Sequence, residues 1–172
     1  MIIWIIGLPG AGKTTIGREV VRLLVDRNRA TVLLDGDDFR SIMGEDLGHS
    51  LADRERNGWR IVRMCAFLDA QGIDVVCCVL SMFPSQREWG RQNFTRYFEV
   101  FVDVSMEELY RRDQKGLYSG ARSGRIKNVV GVDIPFPVPE RPDFIVKNDV
   151  PRSDFLPIAT EIVAASDRKM DS

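Results

Sequence analysis

The sequence predicts an α/β fold of three layers, a five-stranded parallel sheet with helices on both faces. Five short apolar runs rich in Val, Ile and aromatic residues alternate with amphipathic segments of helical period, and the first run leads through a glycine-rich turn straight into a helix. Size agrees: 172 residues, 44% hydrophobic and 28% charged, suffice for one core and one domain over residues 1–172, but not for a separate cofactor module.

The elements follow in order. Ile2 to Ile6 reads as the first strand; it is too short to span a bilayer or act as a signal peptide, lacks a basic leader and breaks at Gly7. A helix begins near Lys13, with Ile16, Val20, Leu23 and Leu24 on one face. Thr31 to Leu34 forms the second strand, and the acidic turn Asp35-Gly-Asp37-Asp38 closes it. A helix carrying Ile61, Cys65 and Leu68 on one face runs to Gly72, a C-terminal stop. Ile73 to Leu80 is the third strand, followed by a helix bearing Arg87, and Tyr97 to Val104 is the fourth. Ser105-Met-Glu-Glu108 is a capping box opening the next helix. After a fifth strand, Phe144 to Val146, a last helix over residues 154–167 turns Phe155, Ile158, Ile162 and Val163 to the core. Two stretches escape the pattern: residues 113–131, rich in Gly and basic side chains, and residues 133–142, with Pro135, Pro137, Pro139 and Pro142. Loops of that length in a small domain usually serve function, so they read as lid and substrate loops.

Charge and rare residues exclude several functions. With 24 Lys+Arg against 25 Asp+Glu, the chain lacks the basic excess of a nucleic-acid-binding protein, and no membrane partner is expected. One histidine, His49, cannot build a multi-His metal site. The three cysteines, Cys65, Cys77 and Cys78, fit buried thiols of a cytoplasmic protein better than disulfides. Trp4, Trp59 and Trp89 have the spacing of packing residues.

Gly7-Leu-Pro-Gly-Ala-Gly-Lys-Thr14 satisfies G-x-x-x-x-G-K-[ST] between a strand and a helix, the context this phosphate-binding loop requires. Its glycines let backbone N–H groups and the helix N-terminus face phosphate oxygens; Lys13 reaches the β- and γ-phosphates and the Thr14 hydroxyl joins Mg²⁺. ATP would then lie on Gly7, Pro9, Gly10, Ala11, Gly12, Lys13, Thr14 and Thr15. A GTPase is disfavoured. Asp69-Ala-Gln-Gly72 fits D-x-x-G but ends a helix before a strand, and Lys147-Asn148-Asp149 lacks the order N-K-x-D.

Further segments are more specific: Leu34-Asp-Gly-Asp-Asp-Phe-Arg40, Asp46-Leu-Gly-His49 with Asp53-Arg54 and Asn57, Phe101-Val-Asp103, Arg112-Asp-Gln-Lys-Gly-Leu-Tyr118, Ala121-Arg122, Ile126-Lys-Asn128 and Gly131-Val-Asp133. Together they resemble the adenylylsulfate (APS) kinase family, P-loop kinases that phosphorylate a ribose 3′-hydroxyl, over most of residues 1–146. The resemblance implies catalytic roles for Lys13, Asp37 and Lys115, with Asp37 accepting the proton of the attacking hydroxyl or helping Thr14 hold Mg²⁺. It implies an acceptor nucleotide held by Asp37, Asp38, Arg40, His49, Arg54, Asn57, Leu80, Ser81, Lys115, Asn128 and Val129. It also implies a homodimer, and a lid over residues 111–131, where six basic side chains stand against Asp113 alone.

The sequence departs from the family where two aromatic residues are expected to clamp the acceptor's adenine: His49 and Val129 occupy those positions. Leu80-Ser-Met-Phe83 and Tyr118-Ser-Gly-Ala121 also differ from the family's segments. Two acceptors therefore stay open, adenosine 5′-phosphosulfate and another nucleoside 5′-diphosphate analogue such as cytidine diphosphoramidate. A non-catalytic nucleotide-binding protein is disfavoured by the intact Lys13, Thr14, Asp37 and Lys115. A small-metabolite kinase of the shikimate or gluconate type is disfavoured by the family-like segments beyond the loop.

Overall fold

The computed structural model describes residues 1–44, 46–113 and 116–170. In chain order its elements are β1 (Ile2–Ile6), α1 (Lys13–Asp26), β2 (Thr31–Asp35), α2 (Gly36–Ile42), α3 (Leu51–Asp69), β3 (Asp74–Val79), α4 (Pro84–Asn93), β4 (Tyr97–Asp103), α5 (Met106–Arg112), α6 (Leu117–Arg122), β5 (Phe144–Lys147) and α7 (Leu156–Met170). The strands form one parallel sheet in the order β2-β3-β1-β4-β5.

Side-chain alternation along the central strand sets the layers. Ile3 and Ile5 enter one apolar cluster with Ile16, Val20 and Leu24 of α1 and Ile162 and Val163 of α7; Ile2, Trp4 and Ile6 enter another with Ile61, Val62 and Cys65 of α3. Both faces of β1 are thus covered, which is why its sequence is a continuous apolar run and not an alternating one. The tryptophans pack as expected, Trp59 and Trp89 edge to face at 6.3 Å and Trp4 against Phe94 and Tyr97 at 6.5 and 6.4 Å. All three cysteines are buried free thiols.

β1 hands the chain to α1 on one face of the sheet, while the neighbouring β3 hands it to α4 on the other. Connections that leave adjacent parallel strands in opposite directions open a crevice at the strands' carboxyl ends, where ligands bind in such sheets.

Three local features differ from the sequence reading. The acidic turn after β2 is the start of a helix: Asp35 caps α2 by accepting the Asp37 N–H at 2.9 Å. Only half of the capping box forms. Ser105 Oγ accepts the Glu108 N–H at 3.3 Å, but Glu108 turns to Arg111 and Arg112, and Asp149 takes the Ser105 N–H at 2.8 Å. The stretch read as a lid loop contains α6, whose Tyr118 is 1% exposed in the core beside α1. Among the described residues, no helix is long and apolar enough to cross a membrane.

Candidate active site

The glycine-rich loop between β1 and α1 takes its shape from Gly10 and Gly12, at φ +78° and +98°, values that side-chain-bearing residues rarely adopt. A Cβ on Gly12 would also lie 2.9 Å from Asn148 Nδ2. The carbonyls of four successive residues are tied down by donors. Leu8 O accepts from Ala11 N at 3.1 Å and Lys13 Nζ at 3.0 Å, Pro9 O from the Tyr118 hydroxyl at 2.7 Å, Gly10 O from Arg112 at 3.3 Å, and Ala11 O from Asn148 Nδ2 at 2.9 Å. With its carbonyls engaged, the loop is left with N–H groups to offer an anion. Arg112 also donates to the Asn148 carbonyl and to Glu108 Oε1, so α5, α6 and the end of β5 brace the loop together.

Lys13 opens α1 beneath this loop. Burial pushes its ammonium below the ordinary lysine range, and the nearby Asp35 and Asp37 carboxylates oppose the shift. Cys78 supports the same turn, donating to Lys13 O at 3.3 Å; burial pushes its thiol up to about 12, so it stays protonated. Thr14 Oγ1 donates to Asp35 Oδ2 at 2.6 Å. Sequence reasoning named Thr14 and Asp37 as magnesium ligands; the carboxylate that touches the Thr14 hydroxyl is Asp35, with Asp37 exposed at the start of α2. The Thr14 hydroxyl and the Asp35 and Asp37 carboxylates are hard oxygen donors of the kind magnesium takes, and they fit that ion.

Across the crevice, two arginines organise a second wall. Arg40 Nη1 donates to Leu47 O and Gly48 O, both at 2.8 Å, and Arg54 joins two loops by donating to His49 O at 3.0 Å and Asn128 O at 2.8 Å. Asp133 accepts the N–H groups of Asn128, at 2.6 Å, and of Val129, holding Asn128 at φ +63°. Burial and the neighbouring Arg40 lower the Arg54 guanidinium from its usual value, and burial with Arg40 and Arg54 keeps the His49 imidazole below 6.5, so it is neutral at pH 7.

The predicted acceptor residues divide by position. Arg40, His49, Arg54 and Asn128 share this wall, Asp37 and Asp38 are exposed beside it on α2, and Asn57 is buried on α3. Leu80 and the buried Ser81 leave β3 at the crevice. Val129 is 3% exposed and packs in the cluster of α1 and α7, so it does not present an open face beside His49. Lys115 lies outside the described residues. Sequence reasoning missed Asp35 and Tyr118 as site residues and left Asn148 and Arg112 without defined contacts. Asn148 sat in a motif set aside as a chance match, and the only signal for Asp35 was its place at the carboxyl end of β2.

Comparison with known proteins agrees with this geometry. The family described as Adenylylsulphate kinase matches residues 1–147. The chain is similar to the cytidine diphosphoramidate kinase of Campylobacter jejuni, 39% identical over 150 residues that cover 86% of this chain and 85% of that protein. It is also 39% identical over 147 residues to the adenylyl-sulfate kinase of Pseudomonas aeruginosa, covering 84% and 75% of the two chains. A third relative, the bifunctional enzyme NodQ of Azospirillum brasilense, is 36% identical over 170 residues, and the match spans only 27% of its length. Among solved structures, the Mycobacterium tuberculosis APS kinase CysC in complex with AMPPNP and APS superposes with a TM-score of 0.87 at 32% identity, covering 96% of each chain.

Proposed function

The chain belongs to the adenylylsulphate kinase family and is a phosphotransferase, and on that premise we propose that it passes the γ-phosphoryl group of ATP to the ribose 3′-hydroxyl of a small nucleotide, with adenosine 5′-phosphosulfate as acceptor. The observation that carries the reading is the pairing of a braced phosphate loop with the Arg40–Arg54 wall across one crevice, a donor site facing a site for a second anionic ligand.

In this reading Gly7 to Thr15 cradle the triphosphate and Lys13 lies along the phosphates to be cleaved. Thr14, Asp35 and Asp37 would hold a magnesium ion, which when bound neutralises charge on the β- and γ-phosphoryl oxygens. Asp37, exposed over the crevice, accepts the proton of the attacking hydroxyl. Arg40, Arg54, Asn57 and Ser81 orient the acceptor, and the basic lid, Lys115 included, covers the transferring group and excludes water. The reading includes a homodimer.

His49 and Val129 favour a second acceptor. With a neutral imidazole at one clamp position and a buried valine at the other, the family's aromatic pair is absent, and the Campylobacter jejuni relative is named for a cytidine acceptor. An acceptor screen with ATP and Mg²⁺ decides. Rapid 3′-phosphorylation of adenosine 5′-phosphosulfate, with tight binding that depends on an ATP analogue, is expected and would eliminate the pyrimidine reading; turnover confined to cytidine diphosphoramidate reverses the assignment. ADP release with neither acceptor refutes both.

A further inference from the structure

Ser81 leaves β3 in a conformation that serine seldom adopts, φ +53°, and is 8% exposed. Side chains from two other elements hold it there. From the middle of β1, Trp4 Nε1–H donates to Ser81 Oγ at 3.0 Å, and from α4, Arg87 Nη1–H donates to the Ser81 carbonyl at 2.8 Å. Arg87 is itself buried, and a buried guanidinium needs a countercharge. Glu99 supplies it from β4 with Oε2 at 4.0 Å, and is fixed by the Tyr97 hydroxyl at 2.8 Å and Arg91 at 2.9 Å.

Donor accounting gives this arrangement a consequence. An indole N–H can only donate, whereas a serine hydroxyl has one hydrogen to give and lone pairs to accept with. Because Oγ accepts from Trp4, its hydrogen is directed away from the indole, and among the described residues Ser81 Oγ donates to no protein group. We infer that Trp4 and Arg87 are positioning residues for the acceptor nucleotide: Arg87 fixes the backbone of Ser81, and Trp4, by engaging one lone pair of its hydroxyl, turns the hydrogen toward an oxygen or ring-nitrogen acceptor on the ligand. The inference rests on the proposed role of Ser81 as an acceptor contact. It gives Ser81 a binding role.

Steady-state kinetics on Trp4→Phe, Arg87→Lys, Ser81→Ala and the double variant Trp4→Phe/Ser81→Ala test it, varying whichever of adenosine 5′-phosphosulfate and cytidine diphosphoramidate the screen selects. Trp4→Phe keeps a ring beside Phe94 and Tyr97 and removes the N–H; Arg87→Lys keeps the charge beside Glu99 and removes the fork. Each single variant is expected to raise the KM of the acceptor about fivefold, the factor one ordinary hydrogen bond carries, with the KM of ATP unchanged. The double variant should be no worse than Ser81→Ala, because the indole then has no hydroxyl to orient. The inference is overturned if Trp4→Phe and Arg87→Lys leave the acceptor KM unchanged while Ser81→Ala raises it, if they raise the KM of ATP equally, or if the effects of Trp4→Phe and Ser81→Ala multiply. An unchanged acceptor KM in Ser81→Ala removes the underlying role of Ser81 instead. Should Trp4→Phe fail to fold, Arg87→Lys decides by the same split between the two KM values.

Discussion

Removing one oxygen, by Tyr118→Phe, tests whether α6 braces the phosphate loop. The Tyr118 hydroxyl donates to Pro9 O at 2.7 Å from a side chain that is 1% exposed. Phenylalanine keeps the ring, and with it the tilted contact with Tyr110 at 5.5 Å, so the change isolates the hydrogen bond. Losing that bond and leaving the Pro9 carbonyl unpaired costs about 1–2 kcal/mol, which in a chain of this size lowers Tm by about 2–8 °C. If half of that energy holds the loop in its phosphate-binding shape, affinity for a non-hydrolysable ATP analogue falls about two- to fivefold. Thermal unfolding and calorimetric titration measure the two effects, with Tyr110→Phe, on a ring 36% exposed, as a control expected to change neither. A melting temperature within 1 °C of the parent together with unchanged nucleotide affinity would refute the claim that this helix braces the loop.

Other outcomes follow from the same geometry. Lys13→Ala is expected to abolish turnover without lowering Tm, since it removes the cation that reaches the phosphates and also a desolvated ammonium; phosphoryl-transfer assays and thermal unfolding check both. Asp35→Asn keeps a good helix cap but loses the charge beside Thr14, so half-maximal turnover should need more Mg²⁺, visible in a magnesium titration. Asp37→Asn should leave ATP binding intact and lower kcat by 10²–10⁴-fold, roughly the contribution of a general base; near-normal turnover removes Asp37 from the chemistry. The hydrogen bonds from Arg111 and then Arg112 hold the Glu108 carboxyl at about 2, below its ordinary 4.5. Because the folded value is the lower one, Glu108 contributes stability above about 4.5 that is lost as the pH falls toward 2. Acid unfolding followed by circular dichroism should therefore be shallower across that window in Glu108→Gln.

Much of this molecule is legible without coordinates because its signals are local. A buried parallel strand must be apolar along its whole length, so Ile2–Ile6 and Asp74–Val79 stand out, and a phosphate loop needs glycine at set spacings before a helix, so Gly7 to Thr14 does too. The family-like segments beyond it let Arg40, Arg54 and Asn57 be named as one set, although they come from different elements. The short α2 escaped notice because its cap, Asp35, also ends a strand, and seven residues give too little periodicity to reveal a helix.

The amino-acid sequence by itself determined the layered sheet, the phosphate loop and the family, since each depends on side-chain pattern over a few consecutive residues. Tertiary structure alone decided which groups hold that loop in shape. Asn148, Arg112 and Tyr118 reach the carbonyls of Ala11, Gly10 and Pro9 across more than a hundred residues of chain, and Trp4 reaches Ser81 across 77. No spacing rule links such pairs. They meet because the parallel sheet brings the carboxyl ends of β1, β3, β4 and β5 to one edge, where a polar group that leaves water must find its partner among whatever the other strands deliver.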